Sequence, residues 1–336
     1  MTCEITLDFR GVELFWRILH AFQSGGRPEE DTWDRLFNTP GYAALTESEF
    51  DTENLRKAIS LALDPKRAYE ARSSKGTRLG EFVEHFREVA DRRLGIEIVM
   101  EELRNRSTRL EIAISDLVEE YLPEEAPRQD TQVALVFFEL DARGYECIVV
   151  DALLAAELGD LLDLLIAHEY HHQCRDAILC YDKEAVEKED KDLMWVLNQT
   201  HAEGIADHID KPRWFYNRNP VEAYTEFVEQ YRKEVLAAKD TLALMDDIIE
   251  TGCATGESHA EIGRSIREIL PLSGHPVGYF MSNSISEANL TAEMIEALGN
   301  PFKFFQLYNK AREVQGKNTF SDATIDFLED LEKKYC

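Results

Sequence analysis

The sequence contains no hydrophobic run long enough to cross a membrane. A spanning helix needs about 20 consecutive apolar residues, whereas the most apolar stretch, residues 161–167, is much shorter and contains Asp163. Residues 1–10 carry acidic side chains and lack the apolar centre of a secretion signal. We therefore expect a protein that neither enters a membrane nor is exported.

Cysteines are few and scattered, and no two of them form a CxxC pair. Without an export signal, a chain of this length is expected to keep its thiols reduced rather than to form a disulfide framework. Cys174 and Cys180 are expected to be buried or free thiols and not metal ligands. The sequence thus predicts a cytoplasmic protein with six reduced cysteines: Cys3, Cys147, Cys174, Cys180, Cys253 and Cys336.

Basic side chains are also in a minority. The 37 Lys and Arg residues face 65 Asp and Glu residues, which gives a formal net charge of −28. Such a surface repels phosphate backbones and anionic lipids, so nucleic acids and membranes are excluded as expected partners. Hydrophobic residues make up 44% of the 336 residues, which predicts a folded protein of one or two domains.

Strand signals are rare, and most of the chain has helical periodicity. Residues 131–139 and 146–150 are rich in β-branched and aromatic residues around a turn with Gly144, which indicates a hairpin or two adjacent strands. We predict a mainly α (α+β) fold with a small sheet that precedes a helix over 160–178. The predicted regions are an N-terminal helical region (1–128), a catalytic region (129–315) and a C-terminal helix on the same body (316–336).

The predicted helix over 160–178 carries the motif HExxH, formed by His168, Glu169 and His172. Residues four apart share one helix face, so both histidines can present a ring nitrogen to one zinc ion. Glu169 is placed to act as the general base that takes a proton from water beside that ion. The motif therefore predicts a site for one Zn²⁺ that hydrolyses peptide bonds.

A catalytic zinc site needs a third protein ligand. The metzincin extension of the motif is absent, because Arg175 and Ile178 occupy its Gly and His positions. Glu203, in a second predicted helix, is the expected third ligand, with His201 and His208 as the alternatives.

Two neighbours of Glu203 carry further expectations. Asp207, four residues on and on the same face, is expected to orient a ligand histidine. Gly204 lacks a side chain and is expected to let this second helix approach the HExxH helix closely.

The segments HEYHH (168–172) and EGIAD (203–207) resemble the gluzincin, or thermolysin-like, clan of zinc metallopeptidases. Among these the sequence is similar to bacterial zinc-dependent peptidases of unknown function that share the HEYHH and EGxAD motifs. The segment 274–281 is similar to a helix start downstream in those families. The resemblance covers about residues 131–315 and implies a zincin-like core.

This resemblance implies roles for individual residues. Glu169 would be the general base, Asp207 an outer partner of a histidine, and either His275 or Tyr279 the group that stabilises the oxyanion, with Tyr279 slightly preferred. A strand before the HExxH helix, 147–150 or 133–137, would bind an extended peptide. The implied zinc ligands are His168, His172 and Glu203.

Two departures from the clan leave other functions open. The GxMEN-type segment of the aminopeptidase branch and the edge-strand signature of thermolysin are both absent. One alternative is a non-peptidase amide hydrolase, although Cys147 lacks the glycine-rich context of a deformylase ligand. Another is a non-catalytic helical binding or regulatory protein with a structural or vestigial zinc site. An open fourth zinc position would distinguish an enzyme from the structural alternative.

Overall fold

The fold is mainly helical with one small sheet, as predicted from the sequence. A computed structural model describes residues 4–336. Within these residues, no helix is both long and apolar enough to span a membrane.

The strands are β1 (Ile5–Asp8), β2 (Thr131–Val136), β3 (Ala142–Gly144) and β4 (Ile148–Asp151). The helices are α1 (Arg10–Gln23), α2 (Glu30–Phe37), α3 (Pro40–Ser48), α4 (Thr52–Leu63), α5 (Ala68–Ser73), α6 (Arg78–Asp91), α7 (Arg93–Asn105), α8 (Ser107–Glu119), α9 (Ala152–Leu158), α10 (Leu162–Asp176), α11 (Lys191–Trp214), α12 (Thr225–Thr255), α13 (His259–Ile269), α14 (His275–Glu287), α15 (Thr291–Glu296), α16 (Pro301–Val314) and α17 (Asp322–Tyr335).

The chain divides into two compact units, each formed by two segments. The first unit extends to Asp116 and resumes from Arg128 to Tyr170, and the second combines Leu117–Pro127 with His171–Cys336. The division falls inside α8 and inside α10, both of which are unbroken helices. The domain boundaries expected from the sequence stay a prediction.

The sheet belongs to the first unit and has the order β1-β2-β4-β3. β1 and β4 both run parallel to β2, and only β3 pairs antiparallel, with β4. The two predicted strands are therefore adjacent, but they do not form a hairpin with each other. Both also have a neighbour on each side, so the expectation that one of them binds a peptide along a free edge is wrong. The edges are β1 and β3.

The first strand lies in a region that the sequence predicts to be helical throughout. β1 pairs with β2 in the register Ile5 to Thr131, and only its two end residues, Ile5 and Asp8, are buried. A short strand with such a pattern gives no clear period-2 signal, because its stability comes from a partner far along the chain.

The core of the first unit forms where helices pack on β2. Two helical glycines make this possible: a Cβ at Gly11 or at Gly41 would lie 2.7 Å from the Val136 side chain. Beside them, the ring of Phe137 packs against Phe15 and Trp16, with centroids 4.7 and 4.9 Å away. β4, which pairs with β2, ends at the buried Asp151.

The second unit is built around the crossing of α11 and α14. At this crossing Gly204 faces Gly278, and a Cβ on Gly204 would lie 2.5–2.7 Å from the backbone of Gly278. The expected close approach at Gly204 therefore exists, but the helix that approaches is α14 and not the HExxH helix. The two glycines bring the first turn of α14 against the middle of α11.

One disulfide contradicts the expectation of reduced cysteines throughout. Cys180 and Cys336 are bonded across a separation of 156 residues. Spacing along the chain gives no sign of this bond, because it depends on where α17 ends in the folded unit. Cys147 and Cys174 are buried thiols and Cys253 is an exposed thiol, as expected. Cys3 lies outside the described residues.

Candidate metal centre

The HExxH motif lies in the second half of α10, which begins at Leu162 and ends at Asp176. Apolar residues such as Ile166 and Ala167 are fully buried and fix the helix in place. His168 is buried, and His172 lies one helical turn further on the same face, with its side chain 19% exposed. The motif therefore presents two imidazoles from one helix.

The third expected ligand comes from α11. Glu203 is nearly buried, and its Oε2 lies 3.1 Å from Nε2 of His172, although the two residues are 31 positions apart. His168, His172 and Glu203 offer ligand atoms that all lie within 4.8 Å of one another.

This group fits a zinc ion. Ligand atoms about 2.0–2.1 Å from a tetrahedral zinc ion lie about 3.3 Å apart, close to the distance between His172 and Glu203. Two imidazoles and one carboxylate are also a ligand set that zinc accepts in catalytic sites.

A further histidine contacts Glu203 from the start of α14. Nδ1 of His275 lies 3.3 Å from Oε2 of Glu203 and 3.0 Å from Oδ1 of Asp207. Burial alone would lower the pKa of His275, but the carboxylates of Glu203 and Asp207 outweigh it and raise the pKa above its usual value. Glu203, Asp207 and His275 form a second group with ligand atoms within 4.8 Å of one another.

Asp207 is fully buried and held by several donors. The hydroxyl of Tyr231 donates to its Oδ2 at 2.9 Å, and Nζ of Lys211 lies 3.4 Å from its Oδ1. Lys211 also donates to the buried Asp210 at 2.7 Å. Burial raises the pKa of Tyr231 well above its usual value, and Asp207 raises it further, so this side chain is a neutral donor. The network fixes Asp207, and through it His275.

Tyr279 lies on α14 one turn after His275. Its ring packs on His208 with centroids 4.8 Å apart, and a second tyrosine, Tyr216, stacks near it at 6.1 Å. Nε2 of His208 lies 2.7 Å from the hydroxyl oxygen of Ser282. Tyr279 is therefore part of an aromatic cluster beside the buried carboxylates.

The two alternative ligands do not join the metal group within residues 4–336. His208 contacts Tyr279 and Ser282, as described above, and Nδ1 of His201 accepts a hydrogen bond from Arg175 at 3.0 Å. His171, which stands between the two histidines of the motif, is fully buried with Nε2 3.1 Å from the Tyr121 carbonyl oxygen. Neither alternative appears in the groups of metal-ligating side chains found in the described chain.

The carboxylate of Glu169 lies beside the short edge strand β3. A Cβ built on Gly144 would be 3.1 Å from Oε2 of Glu169. The backbone at position 144 does not require glycine, because its φ is not in the left-handed region. The carboxylate therefore lies close against Gly144, where a side chain would crowd it.

Four residues around the site were not predicted from the sequence: Lys211, Tyr231, Gly278 and Arg175. Lys211 stands four positions after Asp207, so its ion pair could have been found from helical spacing. Tyr231, Gly278 and Arg175 gave no such signal, because each acts through a helix that is distant in sequence. Arg175 was noted only as a mismatch to the metzincin pattern.

Comparison with known proteins agrees with the chemistry of this donor set. Residues 33–315 match the model of a family described as "Putative zinc dependent peptidase (DUF5700)". No curated protein and no solved structure gave a significant match. Since the match covers most of the chain, the protein belongs to this family of zinc-dependent peptidases.

Proposed function

We propose that the protein is a zinc metallopeptidase of the gluzincin type, with His168, His172 and Glu203 as the ligands of one zinc ion. The observation that carries the proposal is the 3.1 Å contact between His172 and Glu203. It joins a residue of the HExxH motif to the one carboxylate that the gluzincin pattern requires on a second helix. The donor set leaves a fourth position for water, as catalytic zinc sites do.

Zinc bound there would act as a Lewis acid and lower the pKa of water to about 7. Glu169 follows the first ligand in sequence, and its carboxylate is the general base that takes the proton of the attacking water. The contact with Gly144 supports this role, because it places the carboxylate beside an edge strand of the sheet.

For the oxyanion, we propose His275 rather than Tyr279. Nδ1 of His275 contacts Asp207 and Glu203, and we propose that Nε2 is the ring nitrogen that donates to the oxyanion. An imidazole N–H directed at the oxyanion stabilises the negative charge that develops there. Tyr279 instead packs against His208 and belongs to the wall of the site.

We propose that the substrate is a peptide that binds along β3. This strand is an edge of the sheet and is the element in contact range of Glu169. Main-chain hydrogen bonds to an edge strand hold a peptide in extended form with little dependence on its sequence. The proposal therefore predicts broad selectivity for short or unfolded peptides.

The test is zinc content, measured by elemental analysis after dialysis, combined with cleavage of a peptide library. We expect one equivalent of zinc in the wild type, and less than a tenth of it in His172→Ala and Glu203→Ala. His208→Ala is the matched control, since this histidine shares α11 with Glu203 but bonds to Ser282, and it is expected to keep the metal.

Glu169→Gln separates metal binding from catalysis. This variant should retain zinc and lose about 10²–10⁴-fold in kcat, the usual contribution of a general base. A wild type that binds no zinc would refute the proposed site. A wild type that binds zinc but cleaves no peptide would instead favour the non-catalytic alternative.

A further inference from the structure

Arg175 is the largest side chain that is completely buried, and it lies one turn after His172 on α10. Its guanidinium reaches across to α11, the helix of Glu203. Nη2 donates to Oδ1 of Asn198 at 2.9 Å and to Nδ1 of His201 at 3.0 Å. The two acceptors are three residues apart and so lie on one face of α11. The guanidinium thus bonds two successive positions of that face.

Burying an arginine in this way costs free energy of folding. Nε of Arg175 has no hydrogen-bond partner, and an unsatisfied buried donor costs about 1–3 kcal/mol. Within residues 4–336 its one ion pair is with Asp176, whose side chain is 44% exposed, and the charge of Glu203 also acts on the guanidinium. A protein in which apolar residues of similar volume replace a buried charged group is often equally stable or more stable. Packing alone therefore gives no reason for an arginine at this position.

The bonds of Arg175 lie next to the contact that forms the metal site. On α10, Arg175 follows the ligand His172 by three residues, and on α11, His201 precedes the ligand Glu203 by two. His201 is itself fixed, since its ring packs against Phe304 with centroids 4.8 Å apart. The planar guanidinium can hold a fixed distance and rotation between the two helices, which a flexible ammonium cannot.

We propose that Arg175 is a positioning residue that fixes Glu203 relative to His172 for metal binding. The proposal rests on the proposed zinc site but adds a residue that contacts neither the metal nor the substrate. It predicts that the geometry of the guanidinium matters, and that its charge alone is insufficient. The pairing with Asp176 keeps the net charge that Arg175 adds near the site small.

The experiment compares Arg175→Met, Arg175→Lys and Asn198→Ala with the wild type. Zinc Kd is measured by competition with a chromogenic chelator, and Co²⁺ absorption reports the ligand geometry. We expect Arg175→Met to weaken zinc binding about 10–100-fold, the usual effect of losing an outer partner of a metal ligand. Arg175→Lys should weaken it by about tenfold or more and also change the Co²⁺ spectrum.

Two variants keep the test informative if the methionine variant folds poorly. Asn198 is half-buried, and alanine favours the helix, so Asn198→Ala is expected to fold and to weaken zinc binding severalfold. Arg312→Met is the matched control, because Arg312 is also a buried arginine and donates to the Asn318 carbonyl oxygen instead. It should lower stability without a change in zinc Kd.

Several results would overturn the inference. A zinc Kd within threefold of the wild type in folded Arg175→Met and Asn198→Ala would make Arg175 purely structural. Wild-type affinity in Arg175→Lys would assign the effect to charge, and tighter binding in Arg175→Met would show simple repulsion of the metal. These outcomes leave the zinc site itself intact. A wild type without zinc affinity would refute both proposals.

Discussion

The crossing of α11 and α14 predicts a large effect for a single methyl group. A Cβ on Gly278 would overlap the Thr200 carbonyl oxygen and lie 2.7 Å from Cα of Gly204. Both obstacles belong to the backbone of α11, so no rotation of a side chain can relieve them. Gly278→Ala therefore forces the two helices apart. The buried side chains of Val277 and Met281 on α14 move with it.

The magnitude follows from two opposing terms. Alanine is favoured over glycine in a helix interior by about 1 kcal/mol. Overpacking a core costs about 1–3 kcal/mol when side chains can adjust, and a backbone obstacle places Gly278→Ala at the upper end or beyond it. We expect a net loss of about 2 kcal/mol or more in the free energy of unfolding.

Urea unfolding followed by circular dichroism measures this loss, and Gly95→Ala is the control. Gly95 lies within α7, and a Cβ there would meet no atom within 4 Å. The same substitution should therefore stabilise the protein by about 0.5–1 kcal/mol at Gly95. If Gly278→Ala is neutral or stabilising while Gly95→Ala behaves as expected, the close helix crossing does not exist in solution.

Three further results are expected. Cys336→Ser should lower the free energy of unfolding by about 3–5 kcal/mol, because the disulfide with Cys180 closes a loop of 156 residues. Equal stability of wild type and variant without reductant would contradict this disulfide. Burial lowers the pKa of His85, but Asp151 at 2.9 Å raises it above the usual value overall. This His85 contribution is complete below about pH 6.5 and is lost as the pH rises through the raised pKa, so the stabilities of wild type and His85→Gln should converge as the pH rises above about 6.5. Gly144→Ala should lower kcat by displacing the Glu169 carboxylate, yet leave zinc Kd unchanged. An unchanged kcat would show that catalysis does not depend on a glycine at position 144.

The helices were largely predictable because their ends carry local signals. Gly25 and Gly26 follow α1, Pro301 opens α16, and Ser258 with Glu261 forms a capping box at the start of α13. Such signals act within a few residues, so the periodic segments between them define most of the observed helices. Pro212 was an exception, since α11 continues past it to Trp214.

Features that depend on distant parts of the chain were not predictable in this way. β1 pairs with a strand that begins at Thr131, and Cys180 bonds to the last residue of the chain. The glycine at position 204 indicated a close approach but not its partner, because spacing gives the face of a helix and not the neighbour that covers it. These three errors concern long-range partners. Two local expectations were also wrong: the residues expected to form a turn around Gly144 include the strand β3 (Ala142–Gly144), and α11 continues past Pro212.

The candidate site shows the same division between local and distant information. Helical spacing alone places His168 and His172 on one face, so two of the three proposed ligands are visible in a five-residue motif. Glu203 comes from α11, which lies close to α14 at Gly278 and is bonded by Arg175 of α10, and we propose that these contacts hold it at this face. A chain could keep HExxH and lose either contact, and it would then keep the motif without the third ligand. The presence of HExxH therefore indicates a metal site only when residues outside the motif hold the second helix in place.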